Sequence, residues 1–554
     1  MKHLIPTIMA ALALITATDA AAKPAKRGVF TITQPDGTTI EAQSFGDAFN
    51  HVTIDAQGRE LMECSDGFWR PATEEYKAQR EAAMKRRMAM ATETDETDNT
   101  AGSTLPQSGI GLYSHKFPHV GSPRTIVILV SYKDVDFTLD NAHDYFNNML
   151  NQPGFSEWGG TGSVIDYFTQ NSMGVFTPQF DVYGPIELPY IRSYYGQNKY
   201  GYDARAEEMV IHAAQLLDDE VDFSQYDTDG DGYVDNVYVY YAGEGEASHT
   251  DQTNLVWPHQ STLQPTYAAS ECTFDGVIIN NYACSNEYEA TRPDGIGTFV
   301  HEFSHVLGLP DLYCTDYGEA EFLTPATYDA LDYGPYNNNG CTPPAYSAYE
   351  RNAFGWIDPI VIDHTMDVTL EEIQSSNTCY LIPTEKDTEF FLLENRQKIT
   401  GTWDKYIPSH GMLVWHIDYV KSVFEQNRVN NKASHQYVDL IEAGGYAYSQ
   451  SATILLQYPF PGSKKKTTLG YGTTPSLESW AGKDLSVTIT DIKETDGVIT
   501  FHAETPFSAV NDIELTAGET PAAYYNLQGA RIASPKPGNV YIKVADGKAT
   551  KVRY

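Results

Sequence analysis

The stretch HEFSHVLGLPD, running from His301 to Asp311, limits what this chain can fold into more than any other part of it. On a helix, residues four apart lie one turn above each other, so His301 and His305 aim their imidazoles at one point. Gly308 can take a left-handed conformation, which ends the helix and swings the chain back beneath that point. Asp311 then arrives as a third donor. Two neutral nitrogens and a carboxylate, with a fourth position left open, form the ligand set of a catalytic zinc ion. Glu302, beside the first histidine, reaches the water such an ion binds. A carboxylate there can take up the water's proton and pass it to a leaving amine, which an amide cannot do. Phe299, Val300, Phe303, Val306 and Leu307 supply apolar surface that seats the helix in a core.

Two more segments carry candidate site residues. Thr327 to Gly340, TYDALDYGPYNNNG, is an Asn-, Gly- and Tyr-rich turn expected to pass under the metal. Its Tyr333 is a candidate donor to the oxyanion of a tetrahedral intermediate, with a purely structural role as the alternative. Asp227 to Asp235, DTDGDGYVD, resembles a calcium loop. Asp227, Asp229 and Asp231 present carboxylates at alternate positions, Gly232 permits the sharp turn, the Tyr233 carbonyl can contribute, and Asp235 falls at the ninth position. Tyr238 stands at the twelfth position in place of the bidentate glutamate, and a strand follows where an EF-hand has a helix. Calcium is therefore expected in a loop outside a full EF-hand.

At 554 residues the chain is too long for one core and several domains are expected. Acidic residues number 74 against 37 basic ones, a net charge of −37 that repels phosphate backbones and anionic lipid, so nucleic acid is excluded as an expected partner. Lys2 and His3 precede an apolar run from Leu4 to Ala17, with small residues at Ala20 to Ala22, the pattern of a signal peptide over 1–22. No later stretch is long and apolar enough for a spanning helix. The expected location is secreted or cell-surface. An oxidising exterior permits disulfides among Cys64, Cys272, Cys284, Cys314, Cys341 and Cys379. Pairs such as Cys272 with Cys284 and Cys314 with Cys341 would close loops near the site, while buried thiols are the equal alternative.

Along the chain, Gly28 to Ala72 alternates like a strand, with turn pairs at Asp36-Gly37 and Asp66-Gly67 that predict hairpins. A charged helix is predicted over Glu74 to Met90, followed by the linker ATETDETDNTAGSTLPQ. Lys85-Arg86-Arg87 ahead of that linker offers an activating protease a place to cut, so 23–107 reads as pro-segment and linker, with basic residues that simply solvate a helix as the equal alternative. TIVILVSYKDV predicts a buried strand, helices follow at Asn141 to Leu150 and Gly162 to Gln170, and NVYVYYAG is a second central strand. Gly276 to Tyr282 is expected as an edge strand and Thr298 to Leu307 as the zinc helix. Beyond about Asp363, short β runs punctuated by Gly and Pro predict a sandwich.

These motifs resemble the immune inhibitor A family of secreted zinc metallopeptidases. Besides HEFSHVLGLPD, the likeness rests on GVFTITQPDGTT, TGSVIDYFTQNSMGVFTPQFDVYGP, YDTDGDGYVDNVYVYYAG, NNNGCTPPAYSAYERNAFGW, FFLLENRQ, HGMLVWHIDY and HQYVDLIEA. It implies latency through an N-terminal segment and endopeptidase activity on proteins and peptides. His301 and His305 are implied as zinc ligands, Glu302 as the catalytic acid and base, and Asp311 as the third ligand. The expected fold is α+β: a metzincin-like zincin catalytic domain over 108–365, a β-sandwich domain over 366–505, an N-terminal β-rich pro-segment and a small C-terminal β tail over 506–554. That tail, AAYYNLQGARIASPKPGNVYIKVADGKATKVRY, resembles the sorting tails of type IX-secreted bacterial proteins. Two positions depart from the metzincin pattern: Asp311 replaces the usual third histidine, and Leu331 stands at the floor-turn methionine. A competing reading is an inactive surface protein that binds ligands on a zincin scaffold, against which the intact Glu302 and histidines argue.

Overall fold

The computed structural model describes residues 21–114, 117–199, 202–264, 266–316, 323–445, 451–505, 523–525, 531–532, 540–545 and 548–553, apart from 91–108. The apolar stretch of the expected signal peptide, up to residue 20, and the linker lie outside the described residues. Among the described residues, no helix is long and apolar enough to cross a membrane.

A mixed sheet organises the first half of the chain. Its order is Ala21–Ala22, His259–Thr262, Asn281–Glu289, Val237–Glu244, Arg124–Ser131 and Gln179–Glu187. The last four pair in parallel with their neighbours, whereas His259–Thr262 runs antiparallel to Asn281–Glu289. Parallel strands covered on both faces need apolar residues in both phases, which is why RTIVILVS and VYVYYAGE read as unbroken β-branched and aromatic runs. Val127, Leu129, Tyr238 and Tyr240 face one core with the helices Ala142–Asn151, Val164–Asn171 and Ile296–Val306. Ile126, Ile128, Val130, Val239 and Tyr241 face the opposite core with the helix Ala206–Leu217.

The edge strand differs from the one predicted. Within Gly276 to Tyr282, Val277–Ile279 joins a separate small sheet with Thr273–Phe274 and Tyr233–Val234, and the chain enters the main sheet only at Asn281. His259–Thr262 takes the place beyond it. This strand in turn pairs antiparallel with Ala21 and Ala22, opposite Gln260 and His259. The last residues of the expected signal peptide are thus the outermost strand.

Phe30–Thr33 through Trp69–Pro71 forms a five-stranded antiparallel sheet in chain order, closed over Ile32, Ala42, Leu61 and Trp69, and the helix Glu74–Met90 follows. Downstream, a five-stranded sheet contains Tyr380–Pro383, Glu389–Arg396 and Gly411–Asp418, and a three-stranded one contains Met366–Leu370, Thr488–Thr495 and Val498–Glu504. The larger sheet turns Phe391, Leu393, Met412 and Val414 toward Val368, Ile489 and Phe501 of the smaller one. Its other face sends Leu392, Leu413 and Trp415 into the core beneath the Ile296–Val306 helix. Arg396, fully buried at that junction, is held by Asp404 Oδ2 at 2.6 Å and donates to Ala345 O at 2.9 Å. Near the C-terminus, Ala523–Tyr525, Arg531–Ile532, Val540–Ala545 and Lys548–Arg553 make a small antiparallel sheet.

The disulfides suggested by spacing do not form. Cys272 and Cys284 are separate buried thiols, and Cys341 accepts from Arg292 at 3.4 Å instead of bridging to Cys314. Each packs as a small apolar group.

A candidate metal centre under an occupied cleft

The site begins with how one helix stops. Ile296–Val306 carries Phe299 and Phe303 against Phe180, with ring centroids 5.1 and 5.5 Å away. Gly308 has φ +97°, its N–H bonds to His305 O at 2.9 Å, and Leu309 N–H reaches Ser304 O at 3.0 Å. This paired closure ends a helix with a residue in the left-handed region. A Cβ on Gly308 would stand 2.0 Å from Ser114 O, so glycine is also demanded by space. The chain then doubles back to Asp311 as the sequence predicts.

His301, His305 and Asp311 converge. His301 Nε2 and His305 Nε2 are 3.1 Å apart, and Asp311 Oδ1 is 3.2 Å from each. Donors about 2.0–2.1 Å from a tetrahedral ion stand about 3.3 Å from one another, so this triangle fits zinc. The second nitrogens agree: His301 Nδ1 lies 2.8 Å from Ala330 O and His305 Nδ1 2.7 Å from Leu309 O. With those nitrogens protonated toward carbonyls, both Nε2 lone pairs are left for a ligand role. Asp311 Oδ1 is buried without a hydrogen-bond partner, as a metal-facing oxygen would be. Its Oδ2 accepts from Asn427 Nδ2 at 2.6 Å, and its N–H donates to Asn427 Oδ1 at 2.7 Å. Burial opposes charge on Asp311, but His305 and His301 outweigh it and hold the carboxyl well below the usual carboxylate range. The turn carrying Leu331 passes beneath: Ala330 supplies the carbonyl to His301, and Leu331 O accepts from Leu312 N at 2.9 Å.

The cleft over these groups holds the chain's own N-terminal segment. Lys23 N–H donates to Glu302 Oε1 at 2.8 Å, while Glu302 Oε2 is buried with no partner among the described residues. The preceding carbonyl, Ala22 O, lies 2.6 Å from the Tyr313 hydroxyl, which is also 3.0 Å from Asp47 Oδ2. Trp257 Nε1 donates to Lys23 O at 2.8 Å and Tyr336 donates to Pro24 O at 2.7 Å. The Ala22–Lys23 peptide bond is therefore gripped at both ends, between Tyr313 and Glu302. Burial lifts the Glu302 carboxyl to about 8, with His301 and the Lys23 amide pulling the other way.

The phenol at the carbonyl is Tyr313, not the expected Tyr333. Tyr333 instead lies under the Arg27 guanidinium, 3.8 Å from the ring centroid, a contact that holds the ring on the segment's basic side chain. Sequence reasoning also missed Asn427, the edge strand and the Ala21–Lys23 segment. Tyr313 had one available signal, its place two residues past Asp311. Asn427 had none, being 116 residues from its partner.

The acidic loop is built differently. Oxygens of Asp227, Asp229 and Asp235 lie within 4.8 Å of one another, on the surface. The Asp231 carboxyl is not part of that trio, and its Oδ1 accepts from Tyr233 N–H at 2.8 Å. Asp227 Oδ1 accepts from Gly230 and Asp231 at 2.8 and 3.0 Å, and its Oδ2 from Gly232 at 3.0 Å. Burial raises the Asp235 carboxyl to about 6, against hydrogen bonds from Thr228.

Comparison with known proteins follows the same segment. Residues 129–331 match the family described as immune inhibitor A peptidase M6, catalytic domain. The chain is 25% identical over 291 residues to Immune inhibitor A of Bacillus thuringiensis subsp. alesti, covering 44% of this chain and 42% of that protein. It is 26% identical over 243 residues to the Pre-pro-metalloprotease PrtV of Vibrio cholerae serotype O1 (strain M66-2), covering 37% of this chain and 26% of that protein. The matches thus span less than half the length of these relatives. The segment that carries His301, Glu302, His305 and Asp311 is thus the part of the chain similar to the catalytic domain of immune inhibitor A (M6) peptidases.

Proposed function

We propose that the chain is a secreted zinc-dependent endopeptidase that hydrolyses peptide bonds in proteins and is made as a zymogen. One observation carries the reading: a peptide bond with its N–H 2.8 Å from Glu302 and its carbonyl 2.6 Å from Tyr313, above the His301, His305 and Asp311 donors. Zinc held by those three residues would supply a Lewis acid that polarises the carbonyl and acidifies water. Glu302 takes the water's proton and returns it to the leaving nitrogen, the position Lys23 N occupies. Tyr313 donates to the oxygen on which charge develops, the role expected of Tyr333. Asn427 orients Asp311, and the two backbone carbonyls fix the imidazoles. Pairing with His259–Thr262 sets the substrate's backbone in register.

In the precursor, Lys23 to Arg27 fills this cleft and shuts out substrates, and removal of 23–107 by an activating protease opens it. The fold supports a metzincin-like zincin followed by a β-sandwich. The Asp227, Asp229 and Asp235 oxygens hold calcium for stability, with Asp231 and the Tyr233 carbonyl in reach once the loop tightens. The test is casein hydrolysis after proteolytic activation. Activity lost to a zinc chelator and to Glu302→Gln is the expected result; full activity in the Gln variant would end this mechanism.

A further inference from the structure

Lys23 follows the peptide bond held between Glu302 and Tyr313, so its side chain marks the pocket that receives the residue on the leaving side of a cut. That side chain is buried, with 2% of its surface exposed. A lysine is sequestered only where its ammonium finds partners, because an unpaired buried charge is strongly unfavourable. Here Nζ donates to Thr298 Oγ1 at 2.8 Å and stands 4.2 Å from the centroid of the Tyr336 ring. The Thr298 hydroxyl donates in turn to Asp294 Oδ2 at 2.5 Å, which leaves its lone pairs for the ammonium. Glu289 is ion-paired with Lys26 Nζ at 2.6 Å and acts on Lys23 through its charge alone. Burial raises the Asp294 carboxyl and the nearby Lys23 charge lowers it, and the same charge helps hold Glu289 low against its burial. Thr298 lies one turn before Glu302 on the active-site helix, so pocket and reacting bond are rigidly joined.

We infer that this pocket selects lysine as the residue directly after the scissile bond, so that the enzyme cuts proteins on the amino side of lysine. The inference rests on the peptidase reading of the same site and names its substrate class. An isosteric apolar residue leaves the Thr298 hydroxyl without the bond it accepts from the ammonium. A glutamate there meets like charge.

Two internally quenched peptides, identical except for lysine or norleucine after an alanine, test this with the activated enzyme. The expected kcat/KM ratio is about 10- to 100-fold in favour of lysine, the worth of a charged hydrogen bond. In Asp294→Asn and Glu289→Gln the ratio falls toward parity. Equal or better cleavage of the norleucine peptide by the wild type overturns the pocket and leaves the peptidase standing. If neither peptide nor casein is cut, the peptidase reading fails, and the pocket is judged on the intact precursor by calorimetry. There Lys23→Glu lowers the melting temperature more than Lys23→Met does, and an unchanged melting temperature in Lys23→Glu overturns the assignment.

Discussion

The centre at His301, His305 and Asp311 and the loop from Asp227 to Asp235 hold their carboxylate oxygens in opposite ways. At the buried centre, Asp311 keeps Oδ1 bare toward two imidazoles while Asn427 secures its other oxygen. The donors come from a helix, a returning loop, an underlying turn and a residue 116 positions away. In the surface loop every group comes from Asp227 to Asp235, and Asp227 already accepts from Gly230, Asp231 and Gly232. Tertiary structure assembles the first site from segments distant in sequence. Local turn chemistry assembles the second, and an ion there must share oxygens with the backbone.

That contrast is easiest to break at Glu302. Glu302→Gln removes the proton carrier and keeps the shape, so kcat falls by about 10²- to 10⁴-fold with the melting temperature held. A smaller loss in steady-state peptide hydrolysis would move the general base elsewhere. The next largest effect separates two glycines. Gly308→Ala meets Ser114 O at 2.0 Å as well as a positive φ, whereas Gly232, at φ +90°, has nothing within 4 Å of a new Cβ. Chemical denaturation should give about 3–5 kcal/mol lost for the first and about 1–2 for the second. Similar losses would mean that the buried site tolerates local rebuilding as well as the loop does.

Asn427→Ala frees the Asp311 carboxylate from its orienting amide. Loss of an orienting partner lowers zinc affinity by about 10- to 100-fold, read by chelator competition, and an unchanged affinity would show that Asp311 orients itself. The smallest effect belongs to the loop. Asp229→Ala abolishes the calcium-dependent part of the melting temperature, a shift of about 2 °C per kcal/mol of linkage. Wild-type melting that ignores calcium would take the ion out of the account.

Legibility followed the same division. The helix, Gly308 turn and returning Asp311 could be read because each lies within eleven residues and each has a local geometric rule. The central strands could be read because parallel strands between two cores must be apolar in both phases. His259–Thr262 could not, since HQST is a short polar run buried at the edge by what packs on it, not by its own composition. Tyr313 and Tyr333 are the same residue type in neighbouring segments, and only folding decides which meets the Ala22 carbonyl and which meets Arg27. Ala21–Lys23 was masked by its likeness to a leader's end, a compositional signal that says nothing of where those residues lie.

The outermost position of the main sheet has a wider meaning. It is claimed through main-chain bonds opposite Gln260 and His259, which a helix or a compact turn has no free amides to make. Whatever replaces Ala21–Ala22 must therefore arrive stretched out. Well-folded proteins would be attacked first at frayed ends and loose loops, and the pace of their digestion would follow their own local unfolding more closely than their composition.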